Sequence, residues 1–408
     1  MNYRKLGKTN LMVSEVGFGG EWLERHDVDH SVNLIRHAHE QGINIIDCWM
    51  PDPKSRDIIG RGIADCRDQW FVQGHIGSTW QGGQYVRDRD LAQAVPAFED
   101  LLKRIGGGYI DLGMIHYVDS EADWQAAMTG PFIDYVHSLH RDGVIRHIGL
   151  STHNPVMAKR AVETGFVEML LFSINPAFDM HPATENLDDL LFGQFDPSLS
   201  GIVPERAALY RLCEERDVGI TVMKGFFGGA LFDPKRSPFG ATFTPAQLIH
   251  YALTRPAVAS ILCGYDTTGQ IDQAVAYETA SPDARDYASV IASAPLHSYR
   301  GQCPLPNHIR HLRQPLLPHH NLLHLYHRHS SLHPHHHCHQ LHRNHNCPNQ
   351  ILHRPIVISI GKTVFDKKKM FPSQGRKHLF LLQCNECRTI SAFIERSRLE
   401  SKYTVMVF

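Results

Sequence analysis

Eight times between residues 16 and 279, a short apolar segment is followed by an amphipathic one, and this alternation leaves few folds open. The stretch entering residues 17–20, then "INIIDCW", "WFVQGHI", "IDLGMIHY", "IRHIGLS", "VEMLLFSIN", "GITVMKG" and "VASILCG" read as strands buried on both faces. Helices are expected over 29–42, 55–65, 91–105, 155–164, 204–217, 244–256 and 268–279, with a Gly-Pro-interrupted helical region over 123–143. In the first helix Asp29 is the expected N-cap and Val32, Leu34, Ile35 and Ala38 form the apolar stripe. Residues 3–6 and 11–13 read as a hairpin around Gly7-Lys8-Thr9, and 176–203 as a long irregular passage. Such a pattern implies an α/β protein with a parallel sheet covered by helices. Eight units in about 280 residues fit a closed (β/α)8 TIM barrel better than an open sheet.

A barrel of this kind places its active site at the C-terminal ends of its strands. The polar residues there are Asp47, His75, His116, Ser151 with His153 and Asn154, Asn175, Lys224 and the loop 264–270. Asp47 leaves an apolar strand and is followed by Pro51 and Pro53, which forbid regular continuation. An acid in such a place is costly unless it has a partner or a task.

The 41 basic and 42 acidic side chains nearly cancel, leaving a formal charge of -1. That balance argues against nucleic acid or a membrane surface as a partner. The start "MNYRKLGKTN" has no apolar run resembling a signal, and nine irregularly spaced cysteines suggest thiols rather than disulfides. A cytoplasmic protein is expected.

The composition changes abruptly near Cys303. Residues 304–363 contain no Asp, Glu or Ala, and 15 of the 29 histidines fall between His308 and His353. The expected division is therefore a barrel over 1–300 and a His/Pro-rich tail of low order over 301–408.

Taken together, "YRKLGKTNLMVSEVGFGG", "GINIIDCW", "IDLGMIHY", "IGLST" and "PAQLIHYALTRPAVASILCGYDTTGQIDQA" resemble the aldo/keto reductase family over residues 1 to about 280. The resemblance implies a TIM barrel that binds a nicotinamide cofactor, NADPH or NADH, in an extended pose. Of the family's catalytic Asp, Tyr, Lys and His, the Asp matches Asp47 and the His matches His116, but the tyrosine position holds Asp52 and the lysine position His75. An Asp52 carboxylate is a poor proton donor near its reference pKa of ~3.9, whereas an imidazole near ~6.5 needs little tuning. Asp47 is accordingly expected to orient His75, with His75 or His116 donating the proton.

By the same resemblance, Ser151 and Asn154 fall at the carboxamide contacts. Lys224 and the Gly264, Thr267, Thr268 loop fall near the dinucleotide phosphates, where a helix N-terminus favours anions. Gln270 and Gln273 fall at the adenosine end, and Asp266 stands at a position that is often basic where a 2′-phosphate binds. Trp49, Trp80 and Phe226 are expected to shape the pocket.

The segments "QGHIGSTWQ" and "SINPAFDM" are similar to a variant whose barrel carries a ferredoxin-like tail with a 4Fe-4S cluster. That tail begins at "GQC", yet its cluster cysteines would fall on Pro306, Ile309 and Arg313, which do not ligate iron, so no cluster is expected. The tail is read as out of frame, as disordered, or as a metal-binding tract of histidines with Cys338, Cys347, Cys384 and Cys387 and no metal site of recognisable spacing. The function these features suggest is nicotinamide-dependent reduction of a small carbonyl, or oxidation of its alcohol. A nucleotide-binding barrel without turnover is the alternative, and oligomeric state is unread.

Overall fold

In the computed structural model, residues 1–192 and 201–293 are described, together with five short strands within 358–407. The chain opens with antiparallel strands β1 (Tyr3–Lys5) and β2 (Met12–Ser14), joined through a 3-10 turn over Gly7–Thr9. Gly7 has φ +51°, and a Cβ there would collide with the backbone of Asp217 and Gly219. Only glycine lets the hairpin tip come so close to the start of a barrel strand. Leu6 and Val13 pack with Ile45, Leu112, Met169 and Leu171 in one buried cluster, so the hairpin closes the barrel's N-terminal end. The opposite end is left as the mouth.

Eight parallel strands form the closed barrel: β3 (Val16–Gly19), β4 (Ile45–Cys48), β5 (Phe71–Ile76), β8 (Ile110–Ile115), β9 (Ile145–Thr152), β10 (Met169–Ser173), β11 (Gly219–Met223) and β12 (Val258–Cys263). They are neighbours in chain order, and β12 pairs back onto β3. Between β5 and the following helix the chain makes a second antiparallel hairpin, β6 (Ser78–Gln81) and β7 (Gln84–Arg87).

The helices are α1 (Val28–Glu40), α2 (Pro53–Ile63), α3 (Leu91–Ile105), α4 (Glu121–Met128), α5 (Pro131–Arg141), α6 (Pro155–Glu163), α7 (Pro176–Asp179), α8 (Leu187–Phe192), α9 (Pro204–Glu215), α10 (Pro245–Leu253), α11 (Thr268–Val275) and α12 (Ala288–Ser293). Leu34 and Ile35 of α1 and Phe98 and Leu101 of α3 are buried in one cluster with Ile46, Val72, Ile115 and Leu150 of the strands. Each such side chain contributes about 1.5–3 kcal/mol on leaving water. The α/β barrel with an N-terminal hairpin is thus the fold that the alternating pattern implies.

Some local features differ from expectation. The N-cap of α1 is Asp27, whose carboxylate accepts from the Asp29 and His30 amides, so Asp29 lies inside the first turn instead. Asp27 has the extended backbone that a cap needs. The passage 176–203 contains α7 and α8, and α7 is capped by Asn175, which accepts from Phe178 N. The region 123–143 divides at Gly130, φ 69°, with Pro131 opening α5.

The chain separates into two units, Met1–His329 and Ser330–Phe408. In the second, β13 (Ile358–Ile360) pairs with β14 (Thr363–Phe365), and β15 (His378–Leu382), β16 (Ile390–Arg396) and β17 (Tyr403–Val407) form an antiparallel sheet. The expected boundary at 300/301, the positions of the missing cluster cysteines and the tail's own cysteines lie outside the described residues. Among the described residues no helix is long and apolar enough to cross a membrane. Cys48, Cys66, Cys213 and Cys263 are free thiols.

Candidate active site

The side-chain alternation of a strand puts Gln73 and His75 on one face of β5, and Asp47 of β4 pairs in register with Gln73. His116 follows the last residue of β8, the next strand around. Three adjacent strand ends therefore carry an acid and two imidazoles to one point at the mouth. Asp47, His75 and His116 are 5%, 2% and 4% exposed, so their polar atoms need partners inside the protein.

They find them in a row. His75 Nε2 lies 2.9 Å from Asp47 Oδ1, and Gln73 Nε2 donates to the same oxygen at 3.0 Å. His75 Nδ1 lies 2.7 Å from His116 Nδ1. His116 Nε2 lies 2.6 Å from the hydroxyl of Tyr85. Asp47 Oδ1 acts as an acceptor, so the proton of that contact sits on His75 Nε2.

Tyr85 belongs to the hairpin β6–β7, which is turned by Gly82 and Gly83, both at positive φ, 58° and 81°. Two such residues permit the tight turn that suits a twisted ribbon. The hairpin is tied to the barrel: Ser78 Oγ donates to the Trp49 carbonyl at 2.7 Å, and Asp88 N donates to the Gly77 carbonyl at 3.0 Å. Trp49 stacks nearly parallel to His116 with centroids 6.0 Å apart, and it meets Tyr85 edge-on at 5.3 Å.

Burial acts on this row first. It holds His116 well below the ordinary imidazole range, and the neighbouring His75, Arg89 and Arg87 act in the same direction. Burial also pushes the Tyr85 phenol up. Arg89 donates to the carbonyls of Gly77, His116 and Tyr117, and burial lowers it to about 10. At neutral pH His116 is therefore an uncharged imidazole beside a protonated phenol.

The other candidates fall in three places. Asp52 caps α2: its Oδ2 accepts from Ser55 N at 2.9 Å and Ser55 Oγ at 3.0 Å, with Pro53 as the first helical residue. Its carboxylate is thus committed to the helix start, and it does not join the row. Ser151 is the next-to-last residue of β9, beside His116's strand, while both polar ends of Asn154 are used by the fold. Asn154 Nδ2 donates to the Asp119 carbonyl at 2.8 Å, and its Oδ1 accepts from Val156 N at 2.9 Å.

The remaining residues lie on the arc of β11, β12 and β3. Lys224 has φ 60° and its Nζ lies 3.5 Å from Glu21 Oε2. Gly264 begins an exposed loop into α11, where Thr267 and Gln270 form a capping box and Gln273 faces solvent; Thr268 is half-buried. Asp266 Oδ1 meets His26 Nε2 at 2.8 Å, and its carbonyl meets His30 Nε2 at 2.9 Å. Of the expected pocket aromatics, Trp49 touches the row, Trp80 pairs across the hairpin with Tyr85, and Phe226 packs on Phe232.

The sequence reading missed Tyr85, Gln73 and Asp119. Asp119 is buried and accepts from Thr152 Oγ1 at 2.8 Å, His153 N at 2.6 Å and His153 Nδ1 at 2.8 Å. Burial pushes this carboxyl up, but the charge and hydrogen bonds of His153 outweigh it and leave Asp119 below its ordinary value. It pins the turn that carries Ser151 and Asn154. The signal for Tyr85 was present in "STWQGGQYVR", a Gly-Gly pair between two alternating segments.

Residues 15–186 match the model of the aldo/keto reductase family. The chain is 27% identical over 186 residues to an uncharacterised oxidoreductase, YqkF, of Bacillus subtilis, covering 45% of this chain and 58% of that one. It is 29% identical over 160 residues to the aldo-keto reductase YhdN of the same organism, covering 37% of this chain and 47% of the relative. The chain thus spans about half the length of these curated relatives. In three dimensions it is similar to the holo form of the aldo-keto reductase AKR11C1 from Bacillus halodurans, with a TM-score of 0.55 and 19% identity over 74% of this chain and 98% of that one. That likeness concerns the fold alone. The matched residues run from β3 through α7, with the acid and histidine standing at their strand ends, so over this part the chain is similar to the aldo/keto reductase family.

Proposed function

We propose that this chain is a nicotinamide-dependent oxidoreductase that reduces a small carbonyl compound, or oxidises the corresponding alcohol, using NADH or NADPH. The observation that carries the proposal is the row Asp47–His75–His116 at the barrel mouth, with contacts of 2.9 and 2.7 Å. Bound in the mouth, the reduced cofactor supplies a hydride to the carbonyl carbon. The protein must then supply a proton to the carbonyl oxygen, and the row is a store of protons buried beside that position. A positioned donor contributes about 10²- to 10⁴-fold in rate.

The opposite arc fits the cofactor's anionic part. At Gly269, in the first turn of α11, an added Cβ would meet nothing nearer than Thr267 Oγ1 at 3.9 Å, so a phosphate has room to approach the backbone. Lys224 stands on the neighbouring strand end as the cation. Ser151 remains for the carboxamide, because both polar ends of Asn154 are occupied. That AKR11C1 is described in a holo form supports a ligand in this type of barrel.

The second reading, a nucleotide-binding barrel without turnover, is favoured by Asp52: its capping role leaves no hydroxyl at that place. Titration of both reduced cofactors by fluorescence, followed by their oxidation with small aldehydes and ketones, separates the two. Saturable binding with carbonyl-dependent oxidation is expected. Binding without oxidation selects the second reading, and no binding by either cofactor removes both.

A further inference from the structure

We infer that Tyr85, carried to the mouth by the hairpin β6–β7, is the group that hands the proton to the carbonyl oxygen, and that His75 and His116 form a two-state proton wire behind it. This inference rests on the reductive reading above. It names the donor and its supply line.

The contacts themselves restrict where protons can be. Between His75 Nδ1 and His116 Nδ1, 2.7 Å apart, one nitrogen holds the proton and the other offers its lone pair. Take first the form in which both rings are neutral. His75 carries its proton on Nε2 against Asp47, so its Nδ1 is a lone pair and His116 must donate from Nδ1. His116 Nε2 is then bare, and the 2.6 Å contact is a hydrogen bond donated by Tyr85. All three hydrogen bonds run toward Asp47, and the phenol proton is turned away from the substrate.

Add one proton to the row and the order reverses beyond His75. His75 then donates from both nitrogens, to Asp47 and to His116 Nδ1. His116 carries its proton on Nε2 and donates to Tyr85, whose hydroxyl is released to donate outward. The extra proton can instead sit on His116 Nδ1 with His75 Nδ1 bare; all three contacts are kept in that arrangement too, and the Tyr85 hydroxyl is again free to donate outward. The row therefore has a neutral and a protonated form, and only the protonated one presents a donor to the mouth.

Reduction converts the second state into the first. The hydride of the reduced nicotinamide forms the new C–H bond, and the electron pair of the C=O π-bond moves to oxygen. That oxygen takes the Tyr85 proton, Tyr85 takes the Nε2 proton of His116, and His116 takes at Nδ1 the proton of His75 Nδ1. One proton has left the row, one alcohol and one oxidised nicotinamide are formed, and a proton from solvent resets the row.

The surroundings suit this task. Tyr85 is 2% exposed and Trp49, half-buried, covers the Tyr85–His116 contact from the side, so bulk water is kept off. His116 has no acid of its own within hydrogen-bonding reach among the contacts described, and Asp47 acts on it only through His75. Tyr85 is thus the last member of the row, and Asp47 the first.

The test is Tyr85→Phe, which keeps the ring and its edge contact with Trp49, compared with the intact chain in three measurements. Turnover should fall by at least about 10²-fold, with dissociation constants for NADH and NADPH unchanged. The solvent isotope effect on hydride transfer should depend non-linearly on the deuterium fraction in the intact chain, reflecting several protons in flight, and lose that curvature in the variant. Without any cofactor, nitrogen NMR of the imidazoles should show His116 protonated on Nδ1 and hydrogen-bonded at Nε2, the latter bond vanishing in Tyr85→Phe. Full turnover by a folded Tyr85→Phe, or His116 protonated on Nε2 in the resting neutral state, overturns the wire and leaves the reductive reading standing. An intact chain that binds nucleotide but reduces no carbonyl overturns that reading, and the role of Tyr85 with it.

Discussion

His75 and His116 face each other through their Nδ1 atoms at 2.7 Å, with ring planes inclined by 74°. Two neutral imidazoles in this relation fix each other's tautomer, so neither acts alone. Replacing His75 by Gln removes the ring that links Asp47 to His116 while preserving a polar side chain of similar reach. Turnover is expected to drop by about 10²-fold or more, whereas nucleotide affinity, proposed to be set on the arc of Lys224 and Gly264, is expected to hold. Steady-state kinetics and cofactor titration on the same preparation check both parts.

Protonation of His116 couples the site to stability. Its native pKa lies well below the ordinary value, chiefly through burial, so the unfolded chain binds a proton that the native chain refuses. Stability from this residue is complete above the unfolded value of about 6.5 and declines as pH falls below it toward the native value. Denaturant unfolding between pH 7 and 5 should show that decline, and His116→Gln should flatten it.

Loss of Asp119 should damage the fold directly. Asp119→Ala strands the Thr152 hydroxyl and both His153 donors in a buried place, a change of the kind that costs about 3–5 kcal/mol. Because its native pKa is depressed, its contribution is present above about 3.9 and is lost as pH falls through the native value. Unfolding midpoints for Asp119→Ala and Asp119→Asn should rank the alanine variant as the less stable, with weaker nucleotide binding as the Ser151–Asn154 turn loosens.

The barrel could be read from the sequence because most of each strand is apolar and most helices begin with a recognisable cap or proline. Asp47, His75 and His116 could be read as well, since a polar residue at the end of such a run has few reasons to be there. Tyr85 was hidden by its position: it lies outside the repeating units, on an inserted hairpin whose strands have only four residues each. Its partner across the row, His116, follows directly on β8, 31 residues away in sequence, a pairing no local pattern reveals. Asp52 misled because a family position and a helix cap coincide there. The following Pro53 and Ser55 were the local evidence for the cap.

Asp266 places a carboxylate in the loop that leads into α11, the proposed adenosine end, and His26 is its partner at 2.8 Å. NADPH should therefore not be preferred over NADH by more than about a hundredfold, roughly 2.7 kcal/mol. Asp266→Asn removes the like charge and frees His26 to meet a 2′-phosphate, so the ratio of affinities should move toward NADPH. Parallel titrations of the two cofactors measure that ratio.

The central claim is reduction of a carbonyl by hydride transfer in the mouth of this barrel. Incubating the intact chain with NADH or NADPH deuterated at the transferring carbon and a panel of small aldehydes and ketones, then weighing the products by mass spectrometry, tests it most directly. The account predicts an alcohol carrying one deuterium on its carbinol carbon, formed by the intact chain and strongly reduced in His75→Gln. Saturating nucleotide with no labelled alcohol from any carbonyl in the panel would contradict it.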